Sequence, residues 1–205
     1  GQPASEFRYW AFISYSHKDA SWGRWLHKAL ETWRVPRRLI GMPIAAGTVP
    51  ARLSPIFRDR EDLAAAYDLS IEIDEALTRS RSLIVLCSPH AAVSRWANIE
   101  VERFKALRGD SRVFAAILSG EPFASDHPAR IADECFPPAL RSRQTADGPV
   151  RIEPVGADLR REGDGLHAGR LKLIAGIIGV PLDQLLHRDA RRRHRRTLAL
   201  VIALL

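Results

Sequence analysis

The apolar pattern is most continuous between Ser80 and Glu100, where Leu83-Ile84-Val85-Leu86-Cys87 forms an unbroken run of strand length. A strand with one wet face alternates apolar and polar residues, so an unbroken run predicts a strand covered on both faces, the central strand of a parallel sheet. Ser88-Pro89 then stops the ladder, because proline offers no N–H, and after a short polar loop the chain from Ser94 reads as a helix. Trp96 and Glu100 are four residues apart and stand on one face of that helix. An indole and a carboxylate are thus expected to line one spot near the carboxyl ends of the strands, where open α/β sheets bind their ligands.

The same alternation of strand and helix patterns runs through the rest of the chain. Arg8 to Tyr15 is aromatic and β-branched, reads as a first strand, and ends in the polar turn Ser16-His17-Lys18-Asp19. Trp22, Trp25, Leu26, Ala29, Leu30 and Trp33 fall on a single helical stripe closed by Pro36, a spacing that predicts core packing rather than a ligand-stacking box. Leu53 to Phe57 predicts a short strand delivering the chain into the charged loop Arg58-Asp59-Arg60-Glu61-Asp62. Leu69, Ile73, Ala76, Leu77 and Ser80 keep helical spacing, with Asp68 or Ser70 as the expected N-cap. Val113 to Leu118 is a fourth strand, and Leu166 to Ile178 a further helix that restarts after Val180-Pro181. Between Ser119 and Pro149, which holds five prolines, no periodicity survives, and Val150 to Val155 is expected as an edge strand because Pro154 excludes it from a sheet centre. Strands alternating with amphipathic helices predict a parallel sheet covered on both sides.

Composition narrows the class. A chain of 205 residues, 46% apolar, is long enough for one domain with its own core plus an extension. Cys87 and Cys135 have no CxxC spacing, which points to a reducing compartment and a cytoplasmic domain. The formal charge of +7 is concentrated: residues 188 to 196 hold six arginines and one aspartate, leaving only +2 for the rest, so nucleic acid is not an expected partner. The first residues carry neither the basic nor the apolar region of a secretion signal.

The chemistry on offer is sparse. The seven histidines form no HxH or HxxxH pair, so no metal site is expected, and neither a P-loop nor a GxGxxG cradle follows a strand. Ser88 follows a strand but lacks the flanking glycines of a nucleophile elbow. What remains is Glu100 beside Trp96, with Ser14, Tyr15, Ser16 and Asp59 converging on the same sheet edge. Two readings of that group stay open: a ligand site, or a glutamate meeting the helix dipole while Trp96 seals the core.

Four segments in register carry a family resemblance: Phe12-Ile13-Ser14-Tyr15-Ser16, then Phe57-Arg58-Asp59-Arg60-Glu61-Asp62-Leu63, then Ser80 through Pro89, then Ser94-x-Trp96-x-x-x-Glu100. Together they resemble the Toll/interleukin receptor (TIR) domain, closely over 7–118 and loosely to 180. The resemblance implies a TIR domain over 1–180 with a flavodoxin-like α/β fold, a five-stranded parallel sheet flanked by helices on both faces. Many bacterial and plant TIR domains cleave NAD+, so it also implies an NAD+ glycohydrolase that releases nicotinamide and leaves ADP-ribose or a cyclic isomer. Glu100 matches the family's catalytic glutamate and Trp96 a position that shapes the pocket. Ser14, Tyr15 and Ser16 match its first loop, while Arg58, Asp59 and Leu63 match the BB loop after the second strand. NAD+ enters as substrate, with no further cofactor and no metal.

Two departures accompany the match. Relatives commonly carry a glycine near the end of the BB loop, where this chain has Ala64-Ala65-Ala66, and often an arginine after the tyrosine of the first loop, where it has Ser16. The family context implies a role in prokaryotic immune signalling and TIR–TIR self-association. It also implies an alternative, a non-catalytic adaptor acting by that association alone. Residues 181–205 are expected to be a basic helix leading into an apolar run, Thr197 to Leu205, placed as a membrane tether with its basic side in the cytoplasm would be.

Overall fold

The computed structural model describes residues 7–44, 47–58 and 67–185. In chain order the elements are β1 (Phe12–Ser14), α1 (Ala20–Glu31), the small hairpin β2 (Pro43–Ile44) and β3 (Gly47–Thr48), β4 (Phe57–Arg58), α2 (Tyr67–Thr78) and β5 (Leu83–Cys87). Then follow α3 (Pro89–Ala92), α4 (Arg95–Arg108), β6 (Val113–Ile117), α5 (Pro138–Arg141), the hairpin β7 (Ser142–Thr145) and β8 (Gly148–Arg151), β9 (Gly156–Asp158) and α6 (Gly165–Ile178). Five strands form one sheet in the order β4-β1-β5-β6-β9, with every pairing parallel.

All five residues of β5 are buried, as an unbroken apolar run requires. The strand period of two divides them between two cores. Ile84 and Leu86 join Leu26 and Leu30 of α1 and Leu171, Ile174 and Ile178 of α6, while Leu83, Val85 and Cys87 join Leu77 of α2 and Val101 and Phe104 of α4. The sheet therefore carries helices on both faces. On α1 the fully buried positions are Gly23, Leu26 and Leu30. Trp22, Trp25 and Trp33 pack half-buried along the flank of that core, which is a structural role.

Several boundaries differ from the sequence expectation, each for a physical reason. The first strand is limited to β1, and Tyr9 adds only an isolated bridge to Ser80. The strand expected at Leu53–Phe57 forms only at Phe57–Arg58. Pro55 has no N–H to give, and the N–H of Ile56 donates instead to the Glu31 carboxylate at 2.8 Å, so the ladder opens with Phe57 N–H to the Ala11 carbonyl at 2.9 Å. Asp68 and Ser70, expected at the N-cap, lie within the span of α2 instead. Ser88-Pro89 begins a short helix rather than a loop, because proline suits the first turn and the Ser88 hydroxyl accepts the Ala91 N–H at 3.1 Å.

The expected edge strand at Val150–Val155 is displaced. Val150 and Arg151 pair in the β7–β8 hairpin, and the sheet edge is β9. Gly156 decides this: a Cβ there would lie 2.1 Å from the Ala115 carbonyl oxygen, so only glycine allows the close approach. Gly179, at φ +70°, ends α6 in the left-handed conformation. Beyond it Leu182 packs against the α1–α6 core and Leu185 is buried in it. Among the described residues no helix is long and apolar enough to cross a membrane, and the arginine run and apolar end expected as a tether lie outside them.

The proline-rich stretch after β6 is ordered by one buried carboxylate. Glu134 accepts N–H groups from Phe136 at 2.8 Å, Phe123 at 3.2 Å and Ser125 at 3.2 Å, and the Ser125 hydroxyl at 2.7 Å. Burial pushes its pKa up, but the hydrogen bonds from Ser125 and Phe136 and the charge of Arg141 outweigh burial and hold it below the usual carboxylate range. A folded pKa below the unfolded one gives a stabilisation complete above the unfolded carboxyl range, about pH 4.3, and lost as pH falls through the lower folded value. Glu134→Gln should cost about 2 kcal/mol at pH 7. The gap in urea midpoint between wild type and variant should close below the folded pKa; a gap independent of pH would contradict this role.

Candidate active site

The functional side chains expected at the sheet edge sit where the strands run out. Ser14, the last residue of β1, lies level with Val85 on β5, and its neighbour Ile13 lies level with Arg58 on β4. Ser14 and Arg58 therefore occupy adjacent strand ends, and Tyr15 and Ser16 continue from the first of them. Ser14, Tyr15 and Ser16 are all buried, and Arg58 is half-buried. The Tyr15 ring lies under Gly23 of α1, where an added Cβ would meet it at 3.0 Å. Asp59 and Leu63, the other residues expected here, lie outside the described residues.

Polar burial is concentrated at this edge. Among the described residues the buried polar or charged side chains are Ser14, Ser16, Asp19, Ser80, Ser82, Ser88, Glu100 and Glu134. Three have evident structural duties: Ser80 donates to the Ala76 carbonyl at 2.7 Å, Ser82 accepts from Arg112 at 2.6 Å, and Glu134 orders the stretch described above. The other five lie on the segments leaving the carboxyl ends of β1 and β5. The Ser14 hydroxyl is fully buried and has no hydrogen-bond partner among the described residues. A buried polar atom left in that state normally answers to a ligand or water.

Glu100 stands on α4, whose N-cap is Ser94, the hydroxyl of which accepts the Ala97 N–H at 3.3 Å. The buried positions of this helix are Ala97, Glu100, Val101 and Phe104, at i, i+3, i+4 and i+7, which is the stripe that faces the sheet. A carboxylate thus occupies a place that packing alone would give to a leucine. The helix-dipole reading does not account for it, because the first turn of α4 contains no acidic residue and Glu100 lies one turn further in, where the dipole effect has faded. Its exposure is 4%.

Trp96 corrects the sequence expectation. The indole is 62% exposed, and Val93 beside it 84% exposed, so Trp96 neither seals the core nor forms a buried wall with Glu100. One turn of helix separates the two residues, but the step of about 40° left over from four residues carries Trp96 off the buried stripe and onto the rim.

Sequence reasoning missed Asp19. Its position before α1 reads as an N-cap, yet its side chain makes no capping bond. It is buried and accepts the Ser88 hydroxyl at 2.6 Å. Nothing in the local pattern could have paired residues 69 apart. This bond also commits Ser88, which donates to Asp19 and accepts from Ala91, and so leaves no hydroxyl for nucleophilic work. Cys87 is equally unsuited, since burial first, and the nearby Cys135 second, push its thiol well above the ordinary value. No cluster of His, Cys, Asp and Glu suited to a metal ion occurs among the described residues. The segments at this edge thus carry one carboxylate on the core-facing stripe of α4, the hydroxyls of Ser14 and Ser16 and the half-buried Arg58 at the ends of β1 and β4, and an exposed indole on the rim.

Comparison with known proteins bears on this edge. The family model described as TIR domain matches residues 11–149. A curated relative from an Actinoplanes species, named NAD(+) hydrolase ApTIR, is 33% identical over 223 aligned positions that cover 97% of this chain and 28% of the relative. The chain therefore spans just over a quarter of that protein's length. Among solved structures, the TIR domains of the activated Roq1 resistosome recognising the effector XopQ align with 20% identity and a TM-score of 0.36, covering 56% of this chain and 60% of that one.

The exposure of the rim indole gives a stability prediction. Trp96→Ala should shift the unfolding free energy by no more than about 0.5 kcal/mol, whereas Phe104→Ala, fully buried on the same helix, should cost about 3 to 5 kcal/mol. Urea unfolding of the two variants checks the contrast; comparable losses would mean that Trp96 is buried.

Proposed function

The chain belongs to the TIR-domain family, and we propose that it is an NAD+ glycohydrolase with Glu100 as its catalytic carboxylate. The observation that carries this reading is the 4% exposure of Glu100 on the core-facing stripe of α4. Burying a carboxylate costs folding energy, and one held on the sheet-facing stripe of a helix beside the strand ends is a candidate for chemistry. The 33% identical relative named as an NAD(+) hydrolase supports the same chemistry.

One carboxylate suffices for this reaction. The bond between ribose C1′ and the pyridinium nitrogen breaks with its electron pair going to nitrogen, so nicotinamide leaves neutral and no general acid has to protonate it. An O-glycoside differs, because its leaving oxygen needs a proton. Positive charge develops on the ribose as the bond lengthens, and Glu100 facing it lowers the barrier by its own charge. Water adding to C1′ and losing a proton gives ADP-ribose; capture by the substrate's own adenine gives a cyclic isomer. Ser14, Tyr15 and Ser16 would meet the ribose hydroxyls, Arg58 the diphosphate, and Trp96 a flat face of the substrate, with Asp59 and Leu63 proposed as further substrate-binding residues by the family match.

A second reading, an adaptor acting through TIR–TIR association, is favoured by the exposed Val93 and Trp96, two neighbouring apolar side chains that a partner domain would cover. The two combine if neighbouring domains complete the substrate site, an arrangement that fits immune signalling triggered by assembly. Specific activity should then rise with protein concentration, because a lone domain binds with only the fraction of molecules already ordered. A rate strictly proportional to enzyme from nanomolar upward would identify a self-sufficient monomer.

The catalytic assignment is tested by chromatographic detection of nicotinamide release from NAD+. Glu100→Gln should lower the rate by at least about a hundredfold, the usual worth of a preorganised electrostatic contact, while the melting midpoint does not fall. A Glu100→Gln protein that cleaves NAD+ at the wild-type rate would sink the assignment.

A further inference from the structure

We infer that the buried hydrogen bond between Ser88 and Asp19 is a positioning tie that sets Glu100 against the first loop, an inference that rests on the glycohydrolase reading. The bond spans 2.6 Å with both partners buried, Ser88 at 1% and Asp19 at 7% exposure. Asp19 could have capped α1 from its place in the chain; its carboxylate turns to Ser88 instead. A charge-assisted hydroxyl bond of that length, away from water, is among the stronger contacts available to the fold.

Both ends of the tie lead toward site residues through short-range hydrogen bonds, some backbone to backbone and some to serine hydroxyls. On one side the Asp19 N–H donates to the Ser16 carbonyl at 2.7 Å, holding the Ser14–Ser16 loop. On the other, the Ser88 hydroxyl accepts the Ala91 N–H at 3.1 Å, and the Ala92 N–H donates to the Ser88 carbonyl at 2.9 Å. The Ser94 N–H then donates to the Ala91 carbonyl at 3.0 Å, and the Ser94 hydroxyl caps α4 through Ala97. From Ser88 to Glu100 the chain is therefore two consecutive capped helices joined by the two-residue turn Val93-Ser94. Strand pairing and the core shared by Phe12, Val101 and Phe104 fix β1 against α4 at the level of the sheet, and the tie adds a polar link at the strand ends, where the loop and the site lie. Catalysis that depends on placing a charge against a developing cation is sensitive to shifts of about 1 Å, which makes Asp19 a positioning residue rather than a group that touches substrate.

Four variants decide the matter: Asp19→Ala, Asp19→Asn, Ser88→Ala and the Asp19→Ala/Ser88→Ala double variant, with Ile174→Val, buried in the opposite core, as a stability control. Asp19→Ala and Ser88→Ala should each lower kcat about ten- to a hundredfold, with KM changed less than about threefold. The double variant should be no worse than either alone. Asp19→Asn keeps an oxygen acceptor for the Ser88 hydroxyl and should recover most of kcat, while Ile174→Val lowers the melting midpoint and leaves kcat alone. Hydrogen exchange is the second arm: the Ala91 and Ala97 amides should exchange faster in Asp19→Ala than in wild type. An active wild type whose Asp19→Ala variant keeps its kcat, or loses no more than Ile174→Val does, would overturn the inference, as would unchanged exchange at both amides. A wild type that cleaves no NAD+ would overturn the glycohydrolase reading instead, and the exchange arm would still report whether the tie holds α3 and α4 in place.

Discussion

Leu83–Cys87 pairs on both edges and is covered on both faces, so none of its five side chains can meet water or a ligand. A strand in that position can present chemistry only where it ends. The same constraint acts on Phe12 and Ile13 of β1, both fully buried beside it. The polar groups these two strands deliver are therefore found at their carboxyl ends and just beyond, Ser14 through Asp19 on one side and Ser88 onward on the other. A cleft between two such neighbours is the ordinary ligand site of an open α/β sheet, and the order β4-β1-β5-β6-β9 puts the change of winding direction between β1 and β5.

Two buried glutamates show what that location changes. Glu134 is surrounded by donors, three backbone N–H groups and a hydroxyl, and its job is complete within the fold: it organises a stretch too rich in proline to organise itself. Glu100 sits on a helix stripe otherwise made of Ala97, Val101 and Phe104, in the second turn, beyond the reach of the helix dipole. An acidic side chain is out of keeping with the apolar neighbours on that stripe. Sites where a sequence departs from what its own fold prefers are where function is expected to have set the residue.

How much could be read from sequence follows the range of the forces involved. The central strand, the helices around Leu26, Val101 and Ile174, and the parallel alternation were legible because apolar periodicity is local and strong. Glu100 was legible as a candidate from its spacing and from the family resemblance. The burial of Glu100 and the exposure of Trp96 were not, since four residues on a helix fix a common side but not which of two neighbours faces the sheet. β4 and β9 were misplaced by a few residues, because the deciding contacts, Glu31 to Ile56 and Gly156 against Ala115, come from distant parts of the chain. The Asp19–Ser88 bond was invisible for the same reason, joining residues whose separation in sequence leaves no pattern.

The central claim is that Glu100 acts on charge that appears only as the glycosidic bond breaks, so its value lies in the transition state and little of it in holding NAD+. Saturation-transfer NMR of NAD+ binding to Glu100→Gln at the concentration where wild type is active tests this directly. The variant should bind NAD+ within about tenfold of the wild-type Kd, since a hundredfold or greater effect is reserved for the barrier, and should release no detectable nicotinamide over the same interval. A variant that has lost binding in proportion to cleavage would contradict it and reduce Glu100 to a substrate anchor.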